Sequence, residues 1–410
     1  MKSNRLSYPK NKINVLLLEN IDTLAVSAFQ KEGYNVESVS SALSEQELIK
    51  KIQDVSILGV RSKTSLTSNV IAANKKLLAV GAFCIGTNEL DVQSAALGGI
   101  PVFNAPYSNT RSVVELIIGE IIMLSRKSFD RSRQLHKGMW NKSASGCHEV
   151  RGKKLGIIGY GNIGSQLSVL AENLGMDVYY YNTSDTLSMS NATACKSMKE
   201  VLKIADIVTI HVDGRDSNKN LIGKTEFNQM KDGVLFLNAS RGFVVDINAL
   251  ASAITSGKVA GAAVDVYPTE PKKNGKGFTC PLQGLPNVIL TPHVGAGTLE
   301  AQENIARYMS NKLIQFVNTG STTLSVNMPE IQLSEVRGVH RLIHMHRNVP
   351  GVLATINNIL AEHNINIEGQ YLKTNDAIGY VITDVNKKYS EGVVTKLKEM
   401  EETIKLRILY

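Results

Sequence analysis

The stretch Lys154-Leu155-Gly156-Ile157-Ile158-Gly159-Tyr160-Gly161-Asn162-Ile163-Gly164 decides the fold of this 410-residue chain. Lys154 to Gly159 reads as a buried parallel strand, because its short apolar run has no polar alternation. Three glycines follow in the spacing G-x-G-x-x-G, and Ile163 to Leu174 then reads as a helix. Gly159 permits a tight turn, Gly161 lets the backbone approach a pyrophosphate, and Gly164 lets the helix pack closely on the strand. Free N–H groups and the dipole at the helix start hold phosphate charge. A glycine string alone is weak evidence. In this strand-turn-helix setting it predicts a dinucleotide site built from Gly159, Tyr160, Gly161, Asn162, Ile163 and Gly164, in preference to a purely structural turn.

The second strand, Val178 to Tyr181, ends in Asn182 rather than in the acid that usually grips the ribose hydroxyls about 20 residues on. Asparagine still hydrogen-bonds a hydroxyl but no longer repels a 2′-phosphate. No arginine stands beside it to hold one, so NAD is the expected cofactor, with a softened preference.

Working outward, strands are predicted over Ile207 to Val212, Val234 to Asn238, Ala260 to Val266 and Val288 to Leu290, which makes a doubly wound α/β sheet. Upstream, Ile13 to Leu18, Val55 to Val60 and Leu77 to Val80 read as further buried strands. Ser44 caps a helix that opens with Glu45-Gln46-Glu47, and Gly98-Gly99-Ile100-Pro101 turns into a short strand. A long helix starts near Ser108, with Val113, Val114, Leu116, Ile117, Ile121 and Leu124 at helical spacing. Beyond a linker at Gln332 to Gly338 the order is strand (Arg341 to His346), helix (Gly351 to Glu362) and strand (Ile365 to Leu372). An Asn375-Asp376 turn, a strand (Gly379 to Val385), a helix (Val393 to Glu401) and a strand (Ile404 to Leu409) complete it. This β-α-β-β-α-β order is ferredoxin-like.

Hydrophobic residues make up 43% and charged residues 20%, a globular rather than a disordered balance. No run of about 18 apolar residues occurs, so a membrane span is excluded on length. Cys84, Cys147, Cys195 and Cys280 lie far apart without a CxxC pair, and the polar start carries no signal core. A disulfide framework and a metal site are therefore not expected, and a cytoplasmic setting fits. The net charge of +8 comes from scattered rather than clustered basic residues, which favours small anions over nucleic acid.

Three residues after strand ends carry the chemistry. Arg241 lies in Leu237-Asn238-Ala239-Ser240-Arg241-Gly242, Glu270 in Pro268-Thr269-Glu270-Pro271, and His293 in Thr291-Pro292-His293-Val294-Gly295. Oxidising an alcohol needs a base for the hydroxyl proton as hydride leaves, and histidine titrates near neutrality. Glu270 can orient the imidazole and raise its pKa, and Arg241 can bind a carboxylate in a two-bond fork. Singly, each has a bland reading: a loop histidine, a capping acid, a surface cation. Together, beside a dinucleotide turn, they predict NAD-linked oxidation of a 2-hydroxy acid.

These residues resemble the D-isomer-specific 2-hydroxyacid dehydrogenases, in the long bacterial form with a C-terminal ACT module. Val60-Arg61-Ser62-Lys63-Thr64, Phe83-Cys84-Ile85-Gly86-Thr87-Asn88 and Asn104 to Ser112 carry the resemblance, together with the strings above. It implies a flavodoxin-like substrate or lid domain from 7–106 and 296–330, a Rossmann NAD domain at 107–295 inserted between them, and a ferredoxin-like ACT domain at 338–410. It implies oxidation of 3-phospho-D-glycerate to 3-phosphohydroxypyruvate, the entry to serine synthesis, with reduction of 2-oxoglutarate as a side reaction and a homotetrameric assembly. Further cofactor contacts are implied at His211, Ala239, Ser240 and Asp265, and substrate contacts at Arg61, Ser62, Lys63, Asn109 and Lys142. Lys63 stands where arginine is usual, which keeps the charge but loses a fork of donors. Trp140-Asn141-Lys142 matches the segment that reaches a neighbouring subunit.

In the tail, His344 to Val352 resembles the ACT strand, loop and helix, which implies L-serine bound by His346, Asn348 and Asn366. Arg347 replaces a common acid, and Gly338 is followed by Val339 where two glycines can form a hinge, so the response to serine is expected to differ. The competing readings are another hydroxy acid such as lactate or glycerate, a plain dimerisation tail, and a cofactor sensor without turnover.

Overall fold

The computed structural model describes residues 9–271, 274–335, 340–386 and 391–409. The described residues of 1–106 and 303–410 form one compact unit, and those of 107–302 form another.

The first unit opens with β1 (Asn14–Leu17), α1 (Thr23–Lys31), β2 (Asn35–Ser38), α2 (Glu45–Lys51) and β3 (Ile57–Val60). It continues with α3 (Ser68–Ala72), β4 (Ala79–Ala82), α4 (Val92–Leu97) and β5 (Val102–Asn104). The sheet order is β2-β1-β3-β4-β5, all parallel, which is the flavodoxin-like winding. Both faces of β1, β3 and β4 are buried, so these strands read as continuous apolar runs. β2 (NVES) is a half-polar, largely exposed edge strand and left no such run to read. Ser44 caps α2 in a reciprocal box: its N–H donates to Glu47 Oε2 at 2.8 Å, and its hydroxyl accepts from Glu47 N–H.

The second unit holds α5 (Thr110–Arg126), α6 (Ser128–His136), β6 (Lys154–Ile158), α7 (Asn162–Asn173), β7 (Asp177–Tyr181), β8 (Thr193–Ala194) and α8 (Met198–Ile204). It continues with β9 (Ile207–Ile210), α9 (Lys224–Gln229), β10 (Val234–Asn238), α10 (Ile247–Thr255), β11 (Val259–Val264) and β12 (Val288–Leu290). The parallel order β12-β11-β10-β9-β6-β7-β8 reverses direction between β6 and β9. The crevice at the carboxyl ends of strands at such a switch point is where α/β sheets bind ligands. The α5 stripe of Val113, Val114, Ile117, Ile121 and Leu124 packs with Leu155, Ile157, Leu237, Ala263 and Ile289. Each such side chain contributes about 1.5–3 kcal/mol on burial.

Residues 303–319 of α11 (Leu299–Thr319) bring Ile305, Met309, Leu313 and Phe316 into the first unit's core. The tail then forms β13 (His340–Arg347), α12 (Val352–Glu362), β14 (Ile367–Thr374), β15 (Ile378–Val385), α13 (Glu391–Glu399) and β16 (Thr403–Leu409). Its antiparallel order β14-β15-β13-β16 is ferredoxin-like. Leu342 and Val381 face α12 and α13, whereas Ile343, Met345, Tyr380 and Ile382 join the core of Met309, Leu313 and Phe316. Both faces of β13 and β15 are therefore covered, while β14 stays largely exposed. Buried Arg341 locks the joint: it makes a two-bond fork to Asp384 at 2.7 and 2.8 Å, and its Nη1 donates to Thr319 O at 2.9 Å. The expected linker is pinned where it is described, since Leu333 N–H donates to Ser321 Oγ at 3.0 Å. Gly338 and Val339 lie outside the described residues. Among the described residues no helix is long and apolar enough to cross a membrane.

Candidate active site

β6 ends at Ile158, and Gly159 turns the chain with φ +93; a Cβ there would meet the His211 backbone at 2.7 Å. A Cβ on Gly164 would strike Gly159 O at 2.5 Å, so the strand and α7 approach only because both residues are glycine. Gly161 differs: nothing lies within 4 Å of its missing Cβ, and no side chain caps the α7 N-terminus. Uncapped N–H groups facing open space fit the pyrophosphate of a dinucleotide. Tyr160 turns its ring into the core, 3.7 Å from Tyr180 between centroids, and its hydroxyl lies 2.7 Å from Ser168 Oγ. Tyr160 is thus a packing residue of the turn. Asn182 donates from Nδ2 to Ser184 Oγ at 3.1 Å and Thr186 Oγ1 at 2.8 Å, leaving its carbonyl oxygen as an acceptor for a ribose hydroxyl. His211 follows β9 with Nε2 3.0 Å from Thr209 Oγ1 and Nδ1 without a partner among the described residues, and burial depresses its pKa to about 3.

Arg241, Glu270 and His293 converge within the second unit. His293 Nδ1 lies 2.7 Å from Glu270 Oε2, and a carboxylate accepts only, so Nδ1 carries the proton and Nε2 is left as the basic nitrogen. Glu270 Oε1 takes the Tyr267 N–H at 3.0 Å, which fixes the carboxylate from its own turn. The Glu270 bond holds His293 above the ordinary imidazole value despite desolvation. Burial pushes Glu270 up, but the bonds from His293 and Tyr267, with the nearby charge of Arg241, leave it below the usual carboxylate range. Gly242 makes the convergence possible, because a Cβ would sit 1.9 Å from the Tyr267 carbonyl carbon. Arg241 Nη1 donates to Ser240 O at 2.7 Å, and Ser240 is in turn held by Asn238 Oδ1.

His293 has φ 54, a left-handed backbone that costs a non-glycine residue about 1–2 kcal/mol. Asp265 holds it there. Its Oδ1 accepts from Thr291 Oγ1 at 2.6 Å and Val294 N–H at 2.8 Å, and its Oδ2 from Gly295 N–H at 2.8 Å. Both oxygens of this implied cofactor contact are engaged inside the protein, before and after His293.

In the first unit, buried Glu19 organises the loop that presents Arg61, Ser62 and Lys63. Its carboxylate accepts from the N–H groups of Lys63 at 3.0 Å and Thr64 at 2.8 Å. Ser62 and Lys63 are exposed and Arg61 is half-buried. Asn109 caps no N–H of α5, and its Oδ1 is buried without a partner among the described residues. Lys142 lies on an exposed segment beside Trp140, which is 81% exposed. Arg131 anchors that segment through Asn141 O at 3.0 Å.

In the tail, buried His346 points Nδ1 at Arg347 O at 2.7 Å, and its Nε2 has no partner among the described residues. A Cβ at Gly379 would strike the His346 ring at 2.1 Å. Asn348 donates to Asn375 O at 2.8 Å across the strand ends, and both Asn348 and Asn366 are exposed. His344 lies 2.7 Å from Thr403 Oγ1 through Nε2, and burial lowers its pKa to about 4.

Residues 118–295 match the D-isomer specific 2-hydroxyacid dehydrogenase NAD binding domain, and residues 342–405 match an AHAS small subunit-like ACT domain. The chain is 51% identical over 404 residues to D-3-phosphoglycerate dehydrogenase of Dictyostelium discoideum, covering 98% of this chain and 99% of that protein. It is 47% identical over 409 residues to the D-3-phosphoglycerate dehydrogenase of Escherichia coli K12, covering 99% and 100%. The chain belongs to the D-isomer-specific 2-hydroxyacid dehydrogenase family. A solved glyoxylate reductase from Paecilomyes thermophila shares the fold, with a TM-score of 0.70 and 24% identity over 77% of this chain and 98% of that one. The D-lactate dehydrogenase of Aquifex aeolicus complexed with NAD and lactic acid does so with a TM-score of 0.66 and 23% identity over 74% and 95%. The protein is an NAD-dependent oxidoreductase of this family, with a C-terminal ACT domain.

Two buried carboxylates escaped the sequence reading. Glu19 follows β1 with no local pattern to mark it, and only the fold brings it under the 61–64 loop. Glu120 left a visible signal: it sits three residues after Ile117 and seven after Val113, on the apolar stripe of α5.

Proposed function

We propose that this dehydrogenase oxidises 3-phospho-D-glycerate to 3-phosphohydroxypyruvate with NAD, the entry step of L-serine synthesis, and that L-serine inhibits it through the tail. The observation that carries the catalytic reading is the 2.7 Å His293–Glu270 pair beside Arg241, in the unit that holds the G-x-G-x-x-G turn. Relatives named D-3-phosphoglycerate dehydrogenase across almost their whole length support the substrate.

In oxidation, His293 Nε2 takes the hydroxyl proton, and Glu270 stabilises the imidazolium that forms. NAD, when bound at the α7 N-terminus, supplies the carbon that accepts the hydride. Arg241 holds the substrate carboxylate in a fork and polarises the reacting oxygen. Arg61, Ser62, Lys63 and Asn109 serve the anionic ends of the substrate, with Lys142 supplied by a neighbouring copy. Lactate would leave the Arg61 and Lys63 charges unanswered. A second carboxylate answers them as a phosphate does, which supports reduction of 2-oxoglutarate as a side activity.

In the tail, exposed Asn348 and Asn366 supply amides for an amino acid, and the free Nε2 of His346 supplies a further polar atom. A homotetramer in the cytosol completes the reading, supported by the exposed apolar side chains of Ile122, Phe129, Leu135, Met139 and Trp140 on one segment. The test is NADH consumption by the purified protein with phosphohydroxypyruvate, with and without L-serine. Rapid consumption suppressed by serine is expected. Consumption indifferent to serine would remove the effector reading, and no consumption with NADH still bound would overturn the substrate.

A further inference from the structure

α5 buries Glu120 to 1% exposure, and its Oε1 has no hydrogen-bond partner among the described residues. The charged group that reaches it is Asp265, itself 2% exposed. Two carboxylates in one dry interior do not both ionise near neutrality without a cation between them. None stands there among the described residues. α5 packs against α6, α7, β10, β11 and β12. α7 contributes Leu167 and Ala171 to the shared core, β10 Leu237, β11 Ala263 and β12 Ile289, while α6 buries nothing. The titratable groups facing Glu120 are Asp265 and Tyr267, with His293 beyond Asp265 and Glu270 and Arg241 beyond His293.

The pair shares its charge unequally. Burial holds Asp265 above the usual carboxylate range, but it receives a hydroxyl and two N–H donors that favour its ionised form, and among the described residues Glu120 receives none. We propose that Glu120 is a positioning residue of the hydride-transfer site: as an uncharged acid behind Asp265, it leaves Asp265 as the anion that grips the backbone on both sides of His293. The inference rests on His293 as the catalytic base. Burial and the charge of Asp265 push Glu120 up to about 8. Above that pH a second negative charge faces Asp265 in the dry interior. Water entering to solvate it competes for the N–H groups of Val294 and Gly295, and the left-handed backbone of His293 relaxes out of place.

The experiment compares the full-length wild type with Glu120→Gln, which keeps the shape and cannot ionise. Oxidation of 3-phosphoglycerate is followed, because in that direction His293 acts as a base and does not itself produce a decline at high pH. Wild-type kcat is expected to fall about tenfold between about pH 7.5 and about pH 9, while Glu120→Gln falls less than about twofold and KM for NAD holds in both. Thermal melts across pH give a second readout. A carboxyl raised from 4.5 to about 8 contributes stability below 4.5 that is lost as pH rises to 8. The wild-type Tm should therefore fall relative to Glu120→Gln across that window. An alkaline limb that survives unchanged in Glu120→Gln overturns the positioning role. A Tm difference that is constant with pH overturns the uncharged acid. If neither protein oxidises the substrate, the catalytic reading fails, and the melts alone still decide the charge on Glu120.

Discussion

Histidines serve two regions of this molecule in opposite ways. His293 is half-exposed, paired with Glu270 at 2.7 Å, and held above its ordinary pKa by that carboxylate. His344 in the tail is buried, lies against the Thr403 hydroxyl and a neighbouring histidine, and is pushed down by burial to about 4. The first can take and return a proton near neutrality, and the second is a neutral hydrogen-bonding ring. An imidazole becomes an acid–base group where a carboxylate and water both reach it. Elsewhere the same ring is packing with a polar edge.

The contrast can be broken most sharply at His293. His293→Ala should lower kcat by about 10²- to 10⁴-fold while NADH binding, followed by fluorescence titration, is retained. Equal loss of both would remove its role as base and make it one more structural histidine. A smaller effect is expected at its partner. Glu270→Gln removes the charge that raises His293, so the midpoint for reduction of phosphohydroxypyruvate should move to lower pH, with kcat near neutrality down about 10²-fold. The sign follows from reduction needing the protonated imidazole, which the wild type keeps to higher pH. An unmoved midpoint would mean the pair does not set the proton affinity. The smallest effect lies in the tail, where Asn348→Ala should raise the serine concentration for half-inhibition about tenfold, the worth of one hydrogen bond to a charged ligand. An unchanged value would leave the tail an assembly module.

Much of this could be read before the fold was known, and the reason differs by residue. The turn at 159–164 was legible because glycine spacing after an apolar strand has few other uses. Arg241, Glu270 and His293 were legible because each follows a strand end, where parallel sheets collect ligands. Strand boundaries were less so: the third run was read as Leu77 to Val80 and pairs as Ala79–Ala82. Burial begins there before the ladder does, and apolar character tracks burial. The ring of Tyr160 stacks on Tyr180, twenty residues on in sequence, a packing role that no local pattern encodes. The second covered face of the tail sheet was equally hidden, because Met309, Leu313 and Phe316 come from another part of the chain.

The amino-acid order was enough for the three α/β and α+β modules and the glycine turn, and it singled out Arg241, Glu270 and His293 as the side chains proposed to react. These follow from short-range periodicity and from residue types with few alternative roles. The fold alone set which atoms restrain them: Glu19 under the 61–64 loop, Asp265 gripping the chain around His293, and Glu120 beside Asp265. Those are pairings between residues 26 to 145 positions apart, and the charge states of Asp265 and Glu120 depend on how much water the packed core excludes.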